Sequence, residues 1–169
     1  MSEIEAPAIV PVLAAAGIAA KFDHVAHAAP SLSDLLPIYR DLLGGVFDRG
    51  GLNPRFGYRA VQLLYVDGSR IELLEAAPGS DFLTKFFERN PRGGLHHITF
   101  KINDLRSAVT ALEQTGFEMT GAYFNDTGRQ EAFLHPRTAF GALVQLVQVE
   151  PNYLSPRRNP SLEAALKAR

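Results

Sequence analysis

The 169 residues contain no cysteine. Disulfides and thiolate–metal chemistry are therefore both excluded, and any metal must sit among His, Glu, Asp, Gln or Asn donors. Excess charge is missing too. The 17 basic and 18 acidic side chains leave a net charge of −1, which provides no basic field for nucleic acid. Nor is there an apolar run long enough to span a bilayer. The stretch Ile9 to Ala20 is short, is interrupted by Pro11 and Gly17, and follows the acids Glu3 and Glu5 rather than a basic segment. It reads neither as a transmembrane helix nor as a signal peptide. Apolar side chains are plentiful, at 46% of residues, in a chain the size of one ordinary domain or two small fused modules. The expectation is a soluble cytoplasmic protein with no nucleic-acid or membrane partner.

Apolar alternation and turn residues divide the chain into two similar halves. Phe22 to Ala29 has the short alternating character of a strand and ends at Pro30. Ser31 or Ser33 then caps a helix running to about Leu43, with Leu32, Leu35, Leu36, Tyr39, Leu42 and Leu43 on one face. Pro37 fits in its first turn or at a kink, and Gly44-Gly45 stops it. Strands follow at Val46 to Asp48, Arg59 to Val66 and Arg70 to Ala76, the last two joined by an Asp67-Gly68 hairpin. The second half repeats the order. Gly94 to Ile102 is a strand, Asn103 or Asp104 caps a helix that ends at Gly116, and strands follow at Phe117 to Phe124, Glu131 to His135 and Ala142 to Val149. Between the halves, Phe82, Leu83, Phe86 and Phe87 mark a short amphipathic linker helix within 80–90. The predicted fold is α+β. Two βαβββ modules, 22–77 and 94–150, form one domain whose curved mixed sheet surrounds a metal-binding cavity. Residues 1–21 form an N-terminal extension and 151–169 a tail, in which Asn159-Pro160 marks a helix start for Ser161 to Lys167.

The two halves carry matched candidate ligands. His24 precedes Glu72 by 48 residues and His97 precedes Gln145 by 48, so one offset of 73 maps each pair onto the other. Duplicated modules would bring these four side chains to one point, and four nitrogen and oxygen donors make a divalent metal site. Strand alternation sorts their neighbours. If His24 faces inward, His27 faces outward; if His97 faces inward, His96 does not; Glu72 and Leu74 share a face that Glu75 does not; Gln145 and Val147 share a face opposite Gln148. Gln145 is the weaker donor, because an amide oxygen is neutral, and it serves equally well as a hydrogen bonder in the cavity.

The segments Phe22-Asp23-His24-Val25-Ala26, Ile71-Glu72-Leu73-Leu74-Glu75, Gly94-Leu95-His96-His97-Ile98, Phe133-Leu134-His135-Pro136 and Gly141 to Val147 resemble the vicinal oxygen chelate superfamily of glyoxalases, bleomycin-resistance proteins and extradiol dioxygenases. The likeness is strongest to its methylmalonyl-CoA epimerase branch. The resemblance implies paired βαβββ modules, usually in a homodimer, around one divalent ion (Co, Ni, Mn, Zn or Fe), with His24, Glu72, His97 and Gln145 as metal ligands. In the epimerase branch the fourth ligand is a glutamate that doubles as one of two proton-shuttling bases, and the other base is a glutamate on the third strand of the first module. Here those catalytic positions read as Gln145 and Gln62, and an amide neither removes nor returns a proton at neutral pH. His135, Tyr58 and Tyr65 are further candidate proton carriers, although His135 beside Pro136 also suits a structural turn. The implied function is that of a metal-dependent isomerase or lyase stabilising the enolate of an acyl-CoA or α-keto substrate. Arg157 and Arg158 are candidate contacts for CoA phosphates, although arginines in a Pro-rich tail are usually solvated. The alternatives are an Fe(II)-dependent dioxygenase using His24, His97 and Glu72, and a non-catalytic, drug-sequestering member of the superfamily.

Overall fold

A computed structural model describes residues 11–124, 128–151, 153 and 159–167. Arg157 and Arg158 lie outside the described residues. The elements run α1 (Val12–Ala15), β1 (Ala20–Ala28), α2 (Leu32–Leu36), β2 (Val46–Asn53), β3 (Tyr58–Leu64), β4 (Arg70–Ala76), α3 (Thr84–Arg89), β5 (Gly94–Ile102), α4 (Leu105–Gln114), β6 (Met119–Tyr123), β7 (Arg129–Leu134), β8 (Val144–Val149) and α5 (Leu162–Lys167). The eight strands form one sheet in the order β2-β3-β4-β1-β5-β8-β7-β6. β1 pairs with β4, and β5 with β8, in parallel, and β1 and β5 meet antiparallel at the centre. Each half thus repeats the other across the β1–β5 seam. No helix among the described residues is long and apolar enough to cross a membrane.

Side-chain parity explains why the sheet has two unlike faces. In β3 and β4, Val61, Leu63 and Leu73 are fully buried on the face that carries α2 and α5, while Gln62 and Glu72 alternate with them on the other face. In the second half, Leu105, Ala108, Val109 and Leu112 of α4 pack against Ile102, Ala132, Leu134 and Leu146. Each fully buried leucine contributes about 1.5–3 kcal/mol, so these two clusters hold the helices to the outer face. The Asp104 carboxylate caps α4 by accepting from the Ser107 N–H at 3.0 Å. Both flanks join the helical face. Leu13 and Ile18 pack on the α4 cluster, and Leu162, Ala165 and Leu166 pack on the α2 cluster.

Several elements differ from the sequence expectation. The helix after Ser31 is α-helical only to Leu36, and Pro37–Leu42 continue as a π-helix in which the Leu43 N–H reaches the Ile38 carbonyl. The extra residue per turn rotates later side chains by roughly 100°. Leu42 and Leu43 therefore leave the apolar face and are 77% and 55% exposed. β2 extends past Asp48 to Asn53 because Gly50 and Gly51 continue the ladder opposite Val61 and Ala60. A Cβ at Gly50 would come within 2.6 Å of the Ala60 carbonyl oxygen, so glycine there permits close pairing rather than ending the strand. β6 is shorter than 117–124, β7 begins at Arg129 and β8 at Val144. The linker helix occupies only Thr84–Arg89, preceded by the buried Leu83.

Candidate metal centre

The concave face holds a cavity of about 560 Å³. At its floor stand four side chains from the four central strands: Glu72 on β4, His24 on β1, His97 on β5 and Gln145 on β8. All four are buried. A ligating atom from each of His24, Glu72 and His97 lies within 4.8 Å of the others. The Nε2 atoms of His24 and His97 are each 3.7 Å from Glu72 Oε2. A tetrahedral ion with bonds of 2.0–2.1 Å has ligand–ligand edges of roughly 3.4 Å, so the triangle is close to the right size. His97 Nε2 is buried without a hydrogen-bond partner among the described residues. Such an orphan costs free energy unless something fills the space it faces, and a cation among these donors would.

The surrounding bonds orient the donors. Asp23 Oδ2 accepts from His24 Nδ1 at 3.1 Å, which points Nε2 into the centre. Asp23 is held in turn by Lys101 Nζ at 2.8 Å. Burial alone would raise the Asp23 carboxyl, but the His24 and Lys101 bonds outweigh it and hold the group well below the usual carboxylate range. Burial likewise works against the His24 imidazolium, yet the bonds and charges of Asp23 and Glu72 push its pKa up to about 9. Burial dominates at His97 and lowers it to about 3. Without metal, a proton on His24 thus faces the carboxylates of both Asp23 and Glu72. Thr99, fully buried, donates its hydroxyl to Gln145 Oε1 at 2.8 Å and lies 3.2 Å from His24 Nε2.

The structure brings His24, Glu72, His97 and Gln145 together. Gln62 stands beside them, opposite Glu72 in the β3–β4 ladder, and donates from Nε2 to Glu72 Oε1 at 3.1 Å. His135 is at the rim, where its Nδ1 accepts from the Arg137 N–H at 3.1 Å, the turn contact that Pro136 suggests. Tyr58 lines the cavity, whereas Tyr65 donates to the Tyr39 carbonyl. His27 faces the helical side and bonds the Tyr39 hydroxyl, and Glu75 pairs with Arg59 and accepts from the Leu32 N–H.

One parity expectation fails. His96 lines the cavity together with His97, and their Nδ1 atoms are 2.9 Å apart. The cause is a bulge. His97 pairs with Ala26 and Leu95 with His27, so His96 is the extra residue, and strict alternation breaks there. Sequence reasoning also missed Glu131, a buried carboxylate that accepts from Gln145 Nε2 at 2.8 Å and pairs with Arg129. The signal was present, because Glu131, Phe133 and His135 share one parity and all three line the cavity. Thr99 similarly shares the parity of His97.

Paired βαβββ modules whose inner strands offer a buried His-Glu-His group to a concave cavity define a class of folds with donors that could hold a metal ion. The chain belongs to the Glyoxalase/Bleomycin resistance protein/Dioxygenase superfamily, whose sequence pattern matches residues 23–133. It is 31% identical over 132 residues to the ethylmalonyl-CoA/methylmalonyl-CoA epimerase of Cereibacter sphaeroides, covering 76% of this chain and 98% of that protein. Among solved structures it is similar to methylmalonyl-CoA epimerase from Mycobacterium tuberculosis, with a TM-score of 0.67 at 25% identity over 77% of this chain and 88% of that one. It is also similar to a point variant of the Streptomyces coelicolor methylmalonyl-CoA epimerase in complex with 2-nitronate-propionyl-CoA, with a TM-score of 0.63 at 27% identity over 75% and 95% of the two chains.

Proposed function

We propose that the protein is a metal-dependent isomerase of the epimerase type acting on an acyl-CoA, with His24 Nε2, a Glu72 oxygen, His97 Nε2 and Gln145 Oε1 as donors to one divalent ion. The observation that carries the reading is the convergence of two imidazole nitrogens on one buried carboxylate, one of those nitrogens having no other partner among the described residues. The epimerase names of its relatives, and the acyl-CoA analogue bound to one of them, support the substrate class. A divalent ion supplies Lewis-acid stabilisation of the charge that develops on a thioester oxygen as the α-proton leaves.

The chain's own residues hold and orient. Gln62 secures one oxygen of Glu72 and leaves the other facing the two imidazoles. Asp23 fixes the His24 tautomer. Leu74, Phe133 and Leu143 give the cavity apolar walls that limit water around the reacting carbon. Gln62 and Gln145 take up no proton, so neither acts as a base at the two base positions. Proton transfer falls to ionisable groups of the same walls, among them His96 and His135. Lys85 is an exposed cation on the cavity lining that suits a CoA phosphate. In the same reading the protein is a cytoplasmic homodimer, and its ion is Co, Ni, Mn, Zn or Fe.

The test is an NMR deuterium wash-in with metal-loaded protein in D2O over methylmalonyl-CoA, other 2-substituted acyl-CoAs and α-keto compounds. Metal-dependent loss of the α-proton signal from an acyl-CoA is expected. Absence of exchange with every substrate would overturn the proposal. Two histidines and one carboxylate also match the Fe(II) oxygenase set, and oxygen uptake with Fe(II) and a catechol would replace the isomerase reading with that one.

A further inference from the structure

The donor set leaves a buried charge to explain. Glu131 is 4% exposed, and a glutamate is rarely buried unless it is paired. Among the described residues, its Oε2 takes both the Arg129 guanidinium and Gln145 Nε2. Glu131 lies diagonal to Gln145 in the β7–β8 ladder, which pairs Glu131 with Val147 and Phe133 with Gln145; diagonal neighbours are within reach of long side chains.

The amide of Gln145 has two ends of nearly equal size, and rotation exchanges them. Only the oxygen end can ligate a cation. Paired with Arg129, the Glu131 carboxylate offers acceptor oxygens alone, so only Nε2 of Gln145 can face it. The opposite end is then directed to the Thr99 hydroxyl, which is itself 3.2 Å from His24 Nε2. A flipped amide would set Oε1 against the carboxylate of Glu131 and Nε2 against the hydroxyl that now donates to Oε1. The first module has the complementary arrangement, with the amide of Gln62 on the outer strand β3 and the carboxylate of Glu72 on the inner strand β4. Glu72 and Gln145 are thus each bonded to a chemical counterpart on the next strand outward.

We propose that Glu131 is a positioning residue that locks the Gln145 amide with Oε1 toward His24, Glu72 and His97, so that a neutral amide serves as the fourth donor. The inference rests on the metal-centre reading above. The test is a titration of the full-length, metal-free protein with Co(II), followed by the visible d–d bands, in wild type, Glu131→Leu, Gln145→Ala and the double variant. Loss of an outer-shell partner typically weakens metal binding by about 10–100-fold. That loss is expected for Glu131→Leu when Gln145 is present, and a change of less than about 3-fold when Gln145 is alanine, because nothing is then left to orient. The Glu131→Leu and Gln145→Ala spectra should match each other and differ from wild type. If the leucine variant does not fold, Glu131→Gln, which keeps the volume but donates as readily as it accepts, should show the same dependence on Gln145. Equal weakening in both backgrounds, or an unchanged affinity and spectrum in Glu131→Leu, would overturn the proposal. Failure of the wild type to bind Co(II) would overturn the metal-centre reading itself, a result distinct from either.

Discussion

Replacing Glu72 with glutamine removes one charge from the centre and almost no volume, so its consequences can be worked from the geometry. Glu72 Oε2 is 3.7 Å from His24 Nε2. At an effective dielectric of 20, two unit charges at that distance attract by roughly 4–5 kcal/mol, equivalent to about 3 pH units. Burial pulls the other way and the Asp23 bond is retained, so His24 should fall from about 9 by about 1–3 units in Glu72→Gln. The stability window follows. A pKa raised on folding means the folded chain binds the proton more tightly than the unfolded one. In the metal-free wild type, His24 therefore contributes stability that is complete below about pH 6.5 and lost as pH rises through about 9. His97 works in the other direction and a lower window. Its pKa is depressed to about 3, so its contribution is present above the ordinary histidine range and is lost as pH falls through the interval between them. Two measurements on metal-free protein check this: pH titration of the imidazole Cε1–H resonances by NMR, and thermal midpoints from pH 6 to 10. The wild type should lose stability across the alkaline part of that range, while Glu72→Gln should lose less and complete its loss at lower pH. An unchanged His24 titration in the variant would refute the assignment of Glu72 as an anion that holds the His24 proton.

Gln145→Glu places a second carboxylate against Glu131, at the position where Nε2 now lies 2.8 Å away; the metal-free protein should lose about 1–3 kcal/mol in urea unfolding, and the exchanged pair Glu131→Gln/Gln145→Glu should recover most of it. Thr99→Val keeps the shape of a fully buried side chain but leaves Gln145 Oε1 without its donor, so a loss of about 1–3 kcal/mol is expected by the same measurement in metal-free protein. Gly93 has φ +93°, and a Cβ there would overlap the Ala28 carbonyl oxygen; Gly93→Ala should lower stability by about 2 kcal/mol or more, read as a fall in thermal midpoint, and an unaltered midpoint would show that the turn relaxes freely.

The matched spacing of the donors was legible because ladder register is periodic. Once the central strands are recognised, residues 48 apart in equivalent modules must occupy equivalent places. The Asp104 cap and the apolar face of α4 were legible for the same reason, since both are local patterns. Most of what escaped depends on partners distant in sequence. The paired run through Gly50-Gly51 resembles a loop until β3 lies beside it. The π-helical turn after Pro37 reflects bonding that an i, i+4 pattern does not encode. The bulge at His96 exists only against β1. Glu131 had the right parity to be noticed, but its importance lies in the diagonal contact with Gln145, and that contact is set by the register of β7 on β8.

The four floor side chains belong to β4, β1, β5 and β8, and each of these strands has a hydrogen-bonded neighbour on both sides. Fraying of either edge strand, β2 or β6, would leave all four in register. By the usual hierarchy of local opening, the backbone amides of the central strands should be among the slowest to exchange with solvent, and those of the edges among the fastest. Gln62 and Glu131 sit one strand further out, on β3 and β7. The sheet thus separates a rigid chassis from interchangeable fittings: side chains on the outer strands can be altered to retune the cavity walls while the inner strands keep the floor in place.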